Sequence, residues 1–364
     1  MKKSFTVLSL ISSVLFFTTS CKKSLTKTDP TPIYTIPTTY NFDNVNYSDA
    51  SIRLSMANEM AALMTSATTG PVDGQKLLNM FTNTNSPFAS AASNTSGLQL
   101  KDQCFTQLQT DIPNFIDSIV MVSNSKQPAS RGVAGIGASS VTPTSLYPQT
   151  ATGVNYAQVF KKSIMGGLIC YEIVNNYMVN GIGGAVDNNT VISGSGTAME
   201  HNWDLAFGYW GVPINFPTNK TGVLFWGSYT TQIDSGYHAN MILMNAFLKG
   251  RAAIANKDIP TTQAQATIIM QTFERMTGAA ALQEINEIKE ALTDNVKRNS
   301  ALSECYGFVN SLKYNPARKI TDAQINTILA LFPKNFWDLT PTDIDNIQNA
   351  IATQYNFQSV KDIL

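Results

Sequence analysis

Residues 156–178 read YAQVFKKSIMGGLICYEIVNNYM. Apolar side chains recur there at three- and four-residue spacing, over a length that ordinary strands do not reach. The segment therefore predicts a long, buried helix. The same period runs outward in both directions. Upstream, Ile52, Met56, Met60 and Leu63 share a line that starts at Ser48 or Asp49 and stops before Gly70-Pro71. Asp73 then caps a short segment with Leu77, Met80 and Phe81, and Leu108, Phe115, Ile116 and Ile119 continue the pattern, with a kink or break expected at Pro113. Downstream, helices are predicted over 197–209, 233–256, 261–292, 299–314, 321–331 and 341–354, the last opened by Thr340-Pro341. Residues 125–153 and 180–196, rich in Gly, Ser and Asn, read as loops. The best strand signal, Val223-Leu224-Phe225-Trp226, is short and glycine-flanked. The expectation is an all-α helical bundle. No fixed repeat of the tetratricopeptide kind is present.

Composition agrees with a packed body. The 364 residues are 43% hydrophobic and 10% aromatic, enough for a sizeable core. Charged residues make up only 14%, against about 25% in an average soluble chain. Basic and acidic side chains balance at 25 each, which excludes the basic stripe of a nucleic-acid binder. With 2 histidines, His-rich metal cages are excluded as well.

The N-terminus carries its own signal. Lys2 and Lys3 precede an apolar run from Phe5 to Phe17, shorter than the about 20 residues a membrane-spanning helix needs. Thr18-Thr19-Ser20-Cys21 follows and resembles the lipobox of bacterial lipoproteins, in which the cysteine becomes the lipid-bearing N-terminus. Thr18 stands where that motif usually has an aliphatic residue. Residues 1–20 are thus expected to be a signal peptide, Cys21 a lipid attachment point, and 21–39, with Pro30, Pro32 and Pro37, an extended tether. Residues 40–364 are left as one helical domain or a pair of bundled lobes. Cys104, Cys170 and Cys305 remain, an odd number in apolar helical stretches, expected as buried thiols or with one disulfide between two of them.

The densest chemistry lies at 199–211, MEHNWDLAFGYWG. On a helix, Met199, Trp203, Ala206, Phe207 and Trp210 share one side, and Glu200, His201, Asp204 and Gly208 share the other. Glu200, His201 and Asp204 are close enough in register to converge on one ligand. Carboxylate oxygens plus one imidazole suit iron, manganese or calcium better than a thiolate metal. The alternative is a capped helix end whose acids complement the helix dipole. Glu172 stands alone as a charge between Ser163 and Val186, so it either joins that ligand set or makes a structural bond to Lys, Arg or Tyr. Glu59 poses the same question less sharply, and His238 is a lone histidine. No P-loop, dinucleotide fingerprint or nucleophile elbow occurs.

The runs TIPTTYNFDNVNYSDASIRLSMANEM (35–60), MEHNWDLAFGYWGVP (199–213), FWGSY (225–229), SLKYNP (311–316) and NFWDLTPTDI (335–344) resemble the family called domain of unknown function 4856. That resemblance implies an envelope lipoprotein and supplies no activity. The chain is more distantly similar to imelysin-like proteins, two-lobed helical envelope proteins associated with iron acquisition. Their G-x-H-x-x-E motif falls on Met199, His201 and Asp204, with Met in place of Gly and Asp in place of Glu.

Together these readings imply a lipid-anchored, outer-membrane binding protein, a metal- or iron-uptake accessory with Glu200, His201, Asp204 and Glu172 as ligands. One alternative is a metal-dependent hydrolase built on Glu200, His201 and Asp204. Another is a scaffold for an outer-membrane receptor that docks through Phe225, Trp226 and Tyr229. No acidic cluster follows Cys21 to select a leaflet.

Overall fold

The longest helix organises the structure, a computed structural model that describes residues 33–364. This is α10 (Ile259–Glu290), opened by Asp258, whose carboxylate accepts the Thr261 N–H, with Pro260 in the first turn. Its middle, Gly278-Ala279-Ala280-Ala281-Leu282, is buried throughout, and such small residues let neighbouring helices come close. α9 (Ala239–Ala255), α11 (Asn295–Ser311) and α13 (Pro341–Tyr355) pack along it. α11 packs in turn on α5 (Tyr156–Ile164), and α5 on α4 (Thr106–Asn124). On the other flank, α6 (Ala198–Trp210) lies against α1 (Ser48–Thr65) and α9. The shorter helices α2 (Gly74–Thr82), α3 (Ala91–Thr95), α7 (Trp226–Gln232), α8 (Asp234–Tyr237) and α12 (Asp322–Leu329) complete the bundle. The all-α expectation holds. The expected two lobes are not seen: Ile36–Leu364 form one compact unit, because α10 reaches elements from both halves of the chain. Residues 1–32, with the signal peptide, Cys21 and most of the tether, lie outside the described residues.

The opening stretch of sequence is helical from Tyr156 onward but changes register. After α5 the backbone bonds run i to i+5 over Met165–Cys170 and again over Glu172–Asn180. Two carbonyls in the first of these stretches take donors from outside the helix. Trp226 Nε1 donates to Met165 O at 2.8 Å, and the Phe105 N–H donates to Gly167 O at 2.7 Å. Backbone groups that a regular helix would pair internally are satisfied by neighbouring segments instead.

Several sequence expectations are corrected. Val223–Phe225 form no strand, and Trp226 begins α7. The one sheet among the described residues lies in the predicted loop 125–153, where β1 (Gly135–Ala138) pairs antiparallel with β2 (Leu146–Gln149). Pro148 is tolerated there because both strands are edges. α4 runs through Pro113 without a break. The predicted helix 233–256 is interrupted at His238, whose positive φ of 57° ends α8. The three cysteines of the body are free and buried.

The core holds Trp203, Trp210 and Trp226, all fully buried with their indole N–H groups bonded, to Phe247 O, Thr230 Oγ1 and Met165 O. Each such ring contributes roughly 1.5–3 kcal/mol or more by leaving water. Gly250 makes room for Trp203. A Cβ at that position would sit 2.0 Å from Trp203 Cζ2. Gly250→Ala is therefore expected to lower stability by about 1–3 kcal/mol despite Ala's better helix propensity, measured by urea unfolding. An unchanged or raised midpoint would contradict this packing.

Candidate functional site

The predicted face of α6 forms, but around an arginine. Thr197 caps the helix, its side chain accepting the Glu200 N–H while Glu200 Oε2 accepts the Thr197 N–H at 2.8 Å. Arg251 of α9, 1% exposed, enters between the acids. Its Nε donates to Asp204 Oδ1 at 2.9 Å, Nη1 to Glu200 Oε1 at 2.6 Å, and Nη2 to Asp43 O at 3.3 Å. Tyr40 adds its hydroxyl to Asp204 Oδ1 at 2.7 Å and stacks flat on Phe207, ring centroids 3.7 Å apart. Burial pushes the Asp204 carboxyl up to about 6, against the opposing pull of Arg251 and Tyr40.

This arrangement does not fit a metal ion. The guanidinium occupies the convergence point that a cation would need. His201 stays outside the network, its Nδ1 buried without a partner. Among the described residues no group of three or more His, Cys, Asp or Glu is placed to hold a metal.

Glu172 belongs to a different network. Its side chain is fully buried, Oε1 accepting from Asn176 Nδ2 at 2.5 Å, with the Tyr177 hydroxyl and Arg53 nearby. The i to i+5 register places Tyr177 one turn above Glu172, a pairing a regular helix would not give. Burial pushes this carboxyl up to about 7, and the Tyr177 bond, Arg53 and Asn176 only partly offset it. Of the two open readings, the structural bond is the one observed. Glu59 caps the Ala89 N–H at 2.6 Å, and His238 is exposed in the turn between α8 and α9. Of the expected docking aromatics, Trp226 is fully buried, and Phe225 and Tyr229 are partly so.

Two features were missed. One is a second buried charge cluster. Lys162 Nζ pairs with Glu304 Oε2 at 2.6 Å and contacts the Tyr229 hydroxyl, which bridges to Glu284 Oε1 at 2.8 Å. Burial drives Glu284 well above the usual carboxyl range, and neighbouring Glu304 adds to it. These groups face one another and lock α5, α7, α10 and α11.

The other is a cavity of about 510 Å³. α4 supplies Asp111 and Phe115, α5 supplies Tyr156 and Val159, and α11 supplies Tyr306 and Asn310, each pair one helical turn apart. Leu329 of α12 and the segment after it, with Phe332, Lys334 and Phe336, close one side. That segment is pinned by the Phe336 N–H, which donates to Thr152 O at 2.8 Å. Asp111 is held rigidly: Oδ1 accepts from Gln107 at 2.9 Å and Oδ2 from the Tyr314 hydroxyl at 3.0 Å. Asn310 Nδ2 donates to the same hydroxyl at 3.2 Å. The Tyr156 and Tyr306 hydroxyls and the Lys334 ammonium have no protein partner among the described residues. An aromatic-walled cleft with a few fixed and a few unpaired polar groups is the usual form of a small-molecule site. Of the runs that carry the family resemblance, SLKYNP holds Tyr314, which bonds Asp111, and NFWDLTPTDI holds Phe336 of the lining.

A family model described as Domain of unknown function (DUF4856) matches residues 37–358. The chain belongs to the DUF4856 family. No curated protein and no solved structure matches it, and the imelysin-like resemblance finds no support. The DUF4856 match takes in every residue of the α6 network and of the cavity. Among the described residues, no helix is long and apolar enough to cross a membrane.

Two outcomes follow for this DUF4856 chain. Arg251→Ala leaves Asp204 buried and unpaired, and is expected to cost about 3–5 kcal/mol in urea unfolding. The double variant Arg251→Met/Asp204→Leu should recover a good part of that loss. Glu172 ordinarily titrates near 4.5 and in the fold near 7, so the folded state keeps a proton that the unfolded chain releases. Its contribution is full below pH 4.5 and is lost as the pH rises to 7. Glu172→Gln should remove roughly 3 kcal/mol of that decline, read from unfolding midpoints at the two pH values.

Proposed function

We infer that this protein is a lipid-anchored binding protein of the bacterial cell envelope, held at the outer membrane through Cys21, that captures a small organic ligand in the cavity between α4, α5 and α11. The lipobox-like Thr18-Thr19-Ser20-Cys21 supports the location. The cavity carries the binding role: aromatic walls, a rigid Asp111, and polar heads without a partner among the described residues. Capture is favoured over catalysis because Asp111 is the only carboxylate in the lining, which holds no histidine.

The iron-uptake version is not carried forward, since Arg251 fills the place of the ion. The hydrolase version falls with it, because Asp204 and Glu172 are both sealed from water and in separate networks. Receptor docking through Phe225, Trp226 and Tyr229 is also dropped, because those rings pack inward.

The test is ligand-observed NMR of the full-length chain in detergent against a small-molecule library. Hits should compete with one another and vanish in Leu329→Trp, which fills the cavity, while circular dichroism stays unchanged. Hits that persist in the filled variant would place binding elsewhere. For the anchor, labelled palmitate should enter the wild type and not Cys21→Ala.

A further inference from the structure

The cavity lining combines two things rarely brought together by packing alone. Five aromatic rings, Phe115, Tyr156, Tyr306, Phe332 and Phe336, share it with a single acid, Asp111. They form two groups: Tyr306 meets Phe332 edge-on at 5.5 Å and Phe336 at 6.2 Å, while Phe115 lies tilted on Tyr156 at 5.6 Å. We propose that the cavity binds an organic cation of the quaternary-ammonium class, its methylated head among these rings and turned towards Asp111. This rests on the reading of the cavity as a binding site and names the ligand chemistry.

Ring faces are negative, so a cation seated among them is attracted by each, and sites of this composition hold methylated ammonium heads. Asp111 adds a full charge that is fixed in place. Each of its oxygens already accepts one bond, from Gln107 or Tyr314, which orients the carboxylate without neutralising it. The Tyr306 hydroxyl is pushed up by burial first, then by Tyr156 and Asp111. A methylated head donates nothing and loses little on leaving water. Lys334 is the lining's own cation, but it is exposed and its charge is screened by solvent.

Choline and its uncharged isostere dimethylbutanol, in which carbon replaces nitrogen, are the probes. The full-length chain in detergent is titrated with each by calorimetry, with tetramethylammonium as a second cation. Choline is expected to bind saturably and at least about tenfold more tightly than the isostere, a difference of about 1.4 kcal/mol. Asp111→Asn should weaken choline about tenfold and leave the isostere unchanged. Equal binding of choline and the isostere would overturn the proposal and leave the cavity reading standing. So would library ligands that bind while both cations fail. If nothing binds, both readings fall. The choline-to-isostere ratio is measured on wild type and does not depend on a variant that folds.

Discussion

One buried guanidinium fixes how α6, α9 and the segment before α1 come together. Arg251 joins α9 to α6 through Asp204 and Glu200, and to the segment before α1 through the Asp43 carbonyl. A lone arginine in that position would be very costly, and so would a lone aspartate. Neither can leave without stranding the other, so the two helices and the N-terminal segment are specified together. Tyr40 completes the arrangement by bonding Asp204 and lying on Phe207. The aromatic centre around Trp203, Trp210 and Phe247 is built on the same two helices and takes its register from them.

The second charge cluster follows the same logic in another place. Lys162, Tyr229, Glu284 and Glu304 come from four helices and bond to one another in the middle of the bundle. A chain with only 14% charged residues has put several of them inside, bonded in groups. Such groups are weak sources of net stability but penalise any packing that separates them. The cavity differs because its polar heads remain open. Tyr156, Tyr306 and Lys334 line it without hydrogen-bond partners among the described residues, and that contrast is what marks it for binding.

How much of this was legible in the sequence depends on the period of each segment. α6, α10 and α13 were readable to within about two residues, because a cap, a proline or a glycine marks their ends. β1 and β2 were not, since their glycines and proline resemble a loop and the pairing partner lies outside any local window. Glu172 and Asp204 stood out as acids in apolar surroundings, and the fold gives them protein partners, Asn176 and Tyr177 for the first and Arg251 and Tyr40 for the second. The same scan applied to bases would have found Lys162 and Arg251 inside equally apolar helices, and with them the true counter-charges. The cavity drew no attention because Asp111, Tyr156, Tyr306 and Lys334 are ordinary where they stand. Only the tertiary fold gathers them.

Tyr40 has a mechanical consequence. It lies ahead of α1, the first helix among the described residues, so a load on the preceding chain reaches Tyr40 before any of those helices. Three attachments share that load: the ring stack on Phe207, the hydroxyl bond to Asp204, and the Tyr40 N–H bond to Ile214 O at 2.8 Å. They act in parallel on one residue, so none can yield while the others hold. Tension is passed straight into α6 and, through Arg251, into α9. The grip falls on the residues that join two helices of the core.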